Sequence, residues 1–293
     1  LFNGILSGLS QDGIHFFYEN PLAVDRQNER FRRKPHHRQP WYGTACCPPN
    51  IARLLASLGS YIYSAGRNEA VVQLYIASEA TLQIADQEVT LKQATNYPWD
   101  GTVTITVGPE HPANFAILLR LPGWCSRFSL TVNGQRWFLK PEHGYLRIER
   151  LWKTNDEIVL DLDMPVERVY SHPRATANRG RVALMRGPIV YCLEENDNGG
   201  SLDLITLPRT AQLAAVYESD LLGGVVTIIA EGQRVVAGSA QNYSTAPSNY
   251  QSTHIKAIPY FAWDNRESGD MLVWMHELPD QGEVERSLGT ERH

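Results

Sequence analysis

Long apolar runs are missing from this 293-residue sequence. None approaches the roughly 20 residues needed to cross a bilayer, so a membrane-spanning helix is excluded and the membrane is not an expected partner. Cysteine is scarce, with four residues at positions 46, 47, 125 and 192. That is too few for a disulfide framework in a chain this long, and it points to a reducing compartment such as the cytoplasm. Positive charge is not in excess: 27 Lys and Arg stand against 32 Asp and Glu, a net charge of −5. With a pI near 6.0, nothing favours nucleic acid or an anionic surface as partner. No internal repeat is evident. The opening also lacks a methionine, an N-cap residue and a targeting segment, while apolar residues fall at 2, 5, 6 and 9. A helix that begins in mid-pattern leads us to expect that the chain is the later part of something longer.

What is present divides by texture. Residues 1–66 read as helical around one long basic loop (20–42) that carries Arg26, Arg30, Arg32, Arg33, Lys34, His36, His37 and Arg38. Such a loop reads as solvated surface or as part of a pocket wall. From Glu69 short runs rich in Val, Thr and Ile alternate with turn residues, and Asn133-Gly134 after Leu130-Thr131-Val132 is a hairpin signal. A β-sandwich is expected over 67–168 and a second over 169–277, with residues 278–293 a disordered tail.

The feature most open to chemistry is Cys46-Cys47, followed by Pro48-Pro49-Asn50 and an amphipathic stretch. Ile51, Leu54, Leu55, Leu58 and Ile62 share one helical face, which predicts a buried helix starting at the pair. Proline is tolerated at a helix start. The positive end of the helix dipole and its unpaired N–H groups favour a thiolate there. Two adjacent thiols are a metal site, a nucleophile, or a pair of small packed residues, since cysteine is often simply buried. A disulfide between neighbours would strain the backbone.

Other candidates carry less. His36 and His37 read as two further metal ligands or as a solvent-facing pair. Asp156-Glu157 and Glu194-Glu195-Asn196-Asp197 read as loop surface. Trp124, Trp137, Trp152 and Trp263 would suit sugar stacking if exposed, but tryptophan in a sandwich reads first as core. Cys125 and Cys192, in or beside strands, read as packed core.

The segment Trp41-Tyr42-Gly43-Thr44-Ala45-Cys46-Cys47-Pro48-Pro49-Asn50-Ile51-Ala52-Arg53 closely resembles the Cys-Cys-Pro-Pro-Asn signature of glycoside hydrolase family 127, the β-L-arabinofuranosidases and close relatives. Leu1-Phe2-Asn3-Gly4, Phe16-Phe17-Tyr18-Glu19-Asn20-Pro21-Leu22, Leu121-Pro122-Gly123-Trp124 and Val132-Asn133-Gly134 are similar to the same family. So are the stretches 180–191 and Ala257-Ile258-Pro259-Tyr260, and all fall in the family's order. The resemblance runs from residue 1 to about 276.

It implies an α+β multidomain fold in which residues 1–66 are the closing helices of an (α/α)6 barrel and two antiparallel β-sandwich domains follow. It also implies a retaining glycosidase with a zinc-bound cysteine as nucleophile. Cys46 takes that role, Cys46 and Cys47 are both Zn2+ ligands, and Tyr18 corresponds to a substrate-contacting tyrosine. The family's other two zinc ligands, a glutamate and a cysteine, and its acid/base glutamate have no matching position here. Glu19 lies inside a matched motif but not at the acid/base position. The expected substrate is a carbohydrate, an arabinofuranoside of plant-derived glycans, and this chain alone is expected to be inactive. A homodimer is among the assemblies left open. The rival reading is a non-catalytic carbohydrate-binding β-sandwich protein with a structural cysteine pair.

Overall fold

A computed structural model of the chain describes residues 1–26, 37–44, 46–236, 243 and 245–279. The chain divides into two compact units, Pro49–Pro165 and Leu1–Pro48 with Val166–His293.

In Pro49–Pro165 the strands alternate buried and open residues, as in Thr102–Pro109 and Asp156–Leu162, so each has one face to give to a core. Six strands form one sheet in the order Ser78–Ile84, Gln87–Thr95, Thr102–Pro109, Asp156–Leu162, Phe128–Val132, Gln135–Arg136. Four form the other, in the order Tyr145–Trp152, Ala113–Arg120, Glu69–Val72, Tyr63–Gly66. Residues from both sheets share one apolar core that includes Val72, Leu91, Ile105, Ile117, Leu130, Ile148 and Trp152, which makes this unit a sandwich. Two pairings among the described residues depart from the antiparallel expectation: here Glu69–Val72 runs parallel to Ala113–Arg120, and in the other unit Ile205–Pro208 runs parallel to Met275–Leu278. The hairpin at Asn133-Gly134 forms as expected, with both residues at positive φ.

The other unit is built on one sheet rather than two. Its order is Ala23–Val24, Met271–Leu272, Ile189–Glu194, Asn249–Pro259, Val225–Val236, Ile205–Pro208, Met275–Leu278, Arg181–Arg186, Val166–Val169, with Ala214–Glu218 joined to Val225–Val236. Arg181–Arg186 also pairs with Ile189–Glu194, so the hydrogen-bonded path closes on itself. The expected second sandwich is therefore a continuous, self-closing sheet. Closure removes free edges that two separate sheets would leave.

The helical reading of residues 1–66 is met over Cys47–Ser57 alone among the described residues, apart from short 3-10 turns at Leu6–Gly8 and Leu58–Tyr61. Gly4 and Gly8 inside a nine-residue window weaken a helix that is already below the length at which helices hold by themselves. Tyr63–Gly66 is a strand paired with Glu69–Val72. The helix Cys47–Ser57 is also less buried than its periodicity suggests: Ile51 is buried, but Leu55 is exposed. Ile14, Leu22 and Trp41 are exposed as well, so much apolar surface of residues 1–66 is open. Of the expected tail, Leu278 closes the last strand and 280–293 lie outside the described residues. Among the described residues no helix is long and apolar enough to cross a membrane.

Candidate active site

The three residues singled out in the sequence meet. Cys47 is the first residue of the helix Cys47–Ser57, and Pro48 and Pro49 occupy its first turn, where no N–H is needed. The Sγ atoms of Cys46 and Cys47 lie 3.8 Å apart. The Tyr18 hydroxyl accepts the Cys46 N–H at 3.1 Å and stands 3.9 Å from Cys46 Sγ. All four cysteines lie among the described residues and none is in a disulfide; Cys46 is exposed, Cys47 half-buried, Cys125 and Cys192 buried.

Tyr18 is held from behind by Tyr42, whose ring meets it edge-on at 4.3 Å and 66°. The Tyr42 hydroxyl donates to the Phe16 carbonyl at 2.9 Å. Phe16 and Gln39 exchange two backbone hydrogen bonds of 2.8 Å, which fixes the 16–18 segment against 37–39. Desolvation holds the Tyr18 hydroxyl above the ordinary phenol value, and the Cys46 thiol beside it adds to this. The Cys47 thiol is raised as well, by desolvation first and then by its bond to and charge repulsion from Cys46.

Two adjacent thiols are soft donors, and zinc is one of the cations they suit. Tetrahedral zinc with Zn–S bonds of about 2.3 Å sets two sulfurs about 3.8 Å apart. The Cys46–Cys47 separation matches one edge of such a site. It is only an edge: among the described residues no group of three or more His, Cys, Asp or Glu is placed to hold a metal ion. His37 does not join the cysteines as a candidate third ligand. Its Nδ1 is bonded to Asp264 Oδ1 at 3.0 Å, beside a polar cavity of about 440 Å³ that Asp12, His15 and Arg266 help to line. His36 lies outside the described residues.

Of the two readings of the basic loop, solvated surface or pocket wall, Arg38 follows the second: its side chain is buried and helps to line the cavity beside His37. The loop-surface reading of the carboxylates is overturned at two residues. Glu194 is buried because it accepts the Asp264 N–H at 2.7 Å and pairs with Arg266. Asp156 is buried beside Asn133 Nδ2 at 2.8 Å and the Lys153 N–H at 2.9 Å. Trp152 and Trp263 are fully buried, and Trp124 and Trp137 pack partly buried against the sandwich core. Trp152 and Trp263 are therefore not stacking platforms for sugar. Tyr42 was missed as a site residue although it sits inside the cysteine motif; nothing in its spacing announces that its ring would back Tyr18.

Comparison with known proteins covers nearly the whole chain. Residues 1–60 match the β-L-arabinofuranosidase GH127 catalytic domain, 69–164 the GH127 middle domain, and 166–276 the glycoside hydrolase family 127 C-terminal domain. A non-reducing end β-L-arabinofuranosidase of Bifidobacterium longum subsp. longum is 37% identical over 290 residues, 94% of this chain and 44% of that protein. The crystal structure of a GH127 β-L-arabinofuranosidase from Geobacillus stearothermophilus T6 is 46% identical with a TM-score of 0.89, covering 93% of this chain and 44% of that one. A GH127 β-arabinofuranosidase structure is 33% identical with a TM-score of 0.85, covering 94% and 44%. The chain thus spans less than half the length of these relatives. Three consecutive domain matches in the family's order, carried on the same cysteine motif that builds the site, place this chain in glycoside hydrolase family 127.

Proposed function

We propose that this chain supplies the nucleophile side of a retaining β-L-arabinofuranosidase, with Cys46 as the attacking group. The observation that carries the reading is the Cys46–Cys47 separation of 3.8 Å beside the Tyr18 hydroxyl. Zn2+ held by Cys46 and Cys47 would keep the thiol ionised, since a coordinating thiol is deprotonated outright. Cys46, exposed at the helix start, is open to a sugar. Its sulfur attacks the anomeric carbon. The C–S bond forms as the glycosidic C–O bond breaks, and the leaving oxygen takes a proton from a carboxylic acid. Water, giving its proton to the same carboxylate, then attacks that carbon and releases the sulfur, so two inversions leave the configuration unchanged. The Tyr18 hydroxyl already accepts the Cys46 N–H, which leaves its own proton to steady negative charge on the sulfur or to reach a sugar oxygen.

The acid/base glutamate and the remaining two zinc ligands belong to family positions that this chain does not match. By itself it is therefore proposed to bind zinc weakly and to be inactive. The substrate proposed is a terminal β-L-arabinofuranosyl group on a plant-derived glycan, acting from a reducing compartment.

The test has two parts. Zinc per purified chain is expected to be well below one equivalent in wild type and lower still in Cys46→Ser and Cys47→Ser. One tightly held equivalent would mean that local groups complete the site. In a protein of the relatives' length that carries this chain, Cys46→Ser is expected to abolish release of arabinose from an aryl β-L-arabinofuranoside with the fold retained. Turnover within tenfold of wild type would remove Cys46 from the nucleophile's role.

A further inference from the structure

We propose that Arg38 is a positioning residue for the cysteine site, holding the Phe16–Tyr18 segment so that the Tyr18 hydroxyl meets Cys46. The inference rests on the Tyr18–Cys46 contact used in the proposed function and assigns the residue that sets it. Arg38 lies in a segment whose basic composition suggests solvent, yet its side chain is 1% exposed. A guanidinium taken out of water needs partners for its donors, and in Arg38 the two terminal nitrogens find them while the buried Nε has none among the described residues. The two gather three backbone carbonyls from two separate parts of the sequence. Nη1 donates to Trp263 O, and Nη2 donates to Ser7 O at 2.9 Å and to Phe261 O at 3.4 Å.

The charge is balanced locally. Asp264 Oδ2 lies 3.9 Å from Nη1 and accepts the N–H of Arg38 itself at 2.8 Å. Burial lowers the Arg38 pKa while Asp264 and Glu194 oppose the fall. The guanidinium also lies 4.8 Å from the centroid of the Phe17 ring, which stacks on Trp263 at 4.9 Å and 9°. The guanidinium is also 5.8 Å from the Trp263 ring, so Phe17, Trp263 and Arg38 contact one another pairwise, and the Phe17 N–H is tied to Gly8 O at 3.0 Å.

Phe17 and Tyr18 are consecutive. Fixing the buried ring on one side of the segment dictates where the next side chain goes. The adjoining Phe16–Gln39 bridge sets the register of the 16–18 segment on the residue that follows Arg38. Arg38 is thus the point at which Ser7, Phe17 and the Phe261–Asp264 turn are locked together, one residue away from the group that touches Cys46. It makes no contact with Cys46 or Cys47, so its effect on the site is through Tyr18.

Labelling the chain with 15N-cysteine gives four amides, of which three serve the test. Cys46 donates to the Tyr18 hydroxyl, whereas Cys192 lies in a strand of the unit that holds the site and Cys125 in the sandwich core, so both report the fold. In Tyr18→Phe the Cys46 amide should exchange roughly two- to tenfold faster, the range set by one ordinary hydrogen bond. Arg38→Lys should produce a rise of the same size with Cys192 and Cys125 unchanged. If Tyr18→Phe leaves Cys46 unchanged, the Tyr18–Cys46 contact itself is wrong. If Tyr18→Phe moves it and Arg38→Lys does not, the positioning role is overturned and the contact stands. Should Arg38→Lys abolish Cys192 protection, Phe17→Leu decides: faster Cys46 exchange on a protected fold supports the proposal, and an unchanged rate overturns it. Loss of Cys192 protection in both variants would assign Arg38 to the fold at large and overturns it equally.

Discussion

The two units reach a folded state by different routes. In Pro49–Pro165 half of the strand pairings join consecutive strands, and the core is apolar with Gln93 and Asp156 as its buried polar residues among those described. In the other unit the two ends of the sequence meet: Ala23–Val24 pairs with Met271–Leu272, and Tyr260 donates to Pro21 O at 2.8 Å. Its interior holds Ser7, Arg38, Glu194, Asn198 and Asp270. In the sandwich, alternation and turns form the hairpins, and burial of their apolar faces brings the distant strands together. Segments 1–26 and 37–44 have weak local preference, so polar bonds of defined geometry must fix where they lie. The cysteine site is on the second kind of scaffold, where a few tenths of an ångström are set by hydrogen bonds rather than by bulk burial.

The largest expected effect tests the apolar side of this contrast. Trp152 is fully buried, packs 6.1 Å from Phe115 and donates its Nε1–H to Phe115 O at 3.0 Å. Trp152→Ala should cost about 3–5 kcal/mol, the usual range for an aromatic deleted from a packed core. Urea unfolding followed by fluorescence measures it. A loss under about 1 kcal/mol would mean that the sandwich does not depend on its core in this way.

How much of this could be read from the sequence follows the same division. The strands Thr102–Pro109, Ala113–Arg120, Asp156–Leu162 and the Asn133-Gly134 hairpin were legible because period-two alternation and a two-residue turn are local signals. Ala23–Val24 carried no signal, since a two-residue strand exists only because Met271–Leu272 is there to pair with it. At the site, Cys46, Cys47 and Tyr18 came from motif resemblance, and the structure brings all three together. Arg38 and Tyr42 were not found, because their roles depend on partners more than 20 residues away in sequence, Trp263 for one and Tyr18 for the other. A basic loop residue and a buried guanidinium look identical until the partners are placed.

The buried carboxylates sharpen the comparison through pH. Desolvation pushes Asp156 up, but Asn133, the Lys153 N–H and Arg150 outweigh it, and its pKa lies below the ordinary value. Its contribution to stability is therefore complete above about pH 3.9 and is lost as pH falls through the depressed folded value. Glu194 goes the other way: desolvation outweighs Arg266 and the Asp264 N–H, and its pKa is raised. Its contribution is fullest below about pH 4.3 and declines as pH rises through the raised folded value. Urea midpoints of Asp156→Asn and Glu194→Gln against wild type, taken between about pH 3 and pH 7, should give difference curves of opposite slope. Slopes of the same sign would mean that the two units bury carboxylates on equal terms.

The smallest effect asks whether the contrast extends to the backbone itself. Gly134 in the sandwich and Gly180 in the other unit both hold positive φ, +74° and +70°, and neither has any atom within 4 Å of where a Cβ would stand. Steric clash with neighbours is thus absent from both, and what remains is the intrinsic cost of an L-residue in the left-handed region, about 1–2 kcal/mol. Gly134→Ala and Gly180→Ala should therefore lower stability by similar amounts, about 1–2 kcal/mol each, since the same left-handed cost is all that either incurs. Equal losses would locate the difference between the units wholly in their tertiary contacts. A markedly larger loss at Gly180, whose carbonyl accepts the Glu277 N–H at 2.9 Å, would mean that the second unit transmits a local backbone disturbance into its sheet, which is the behaviour expected of a scaffold held by single hydrogen bonds.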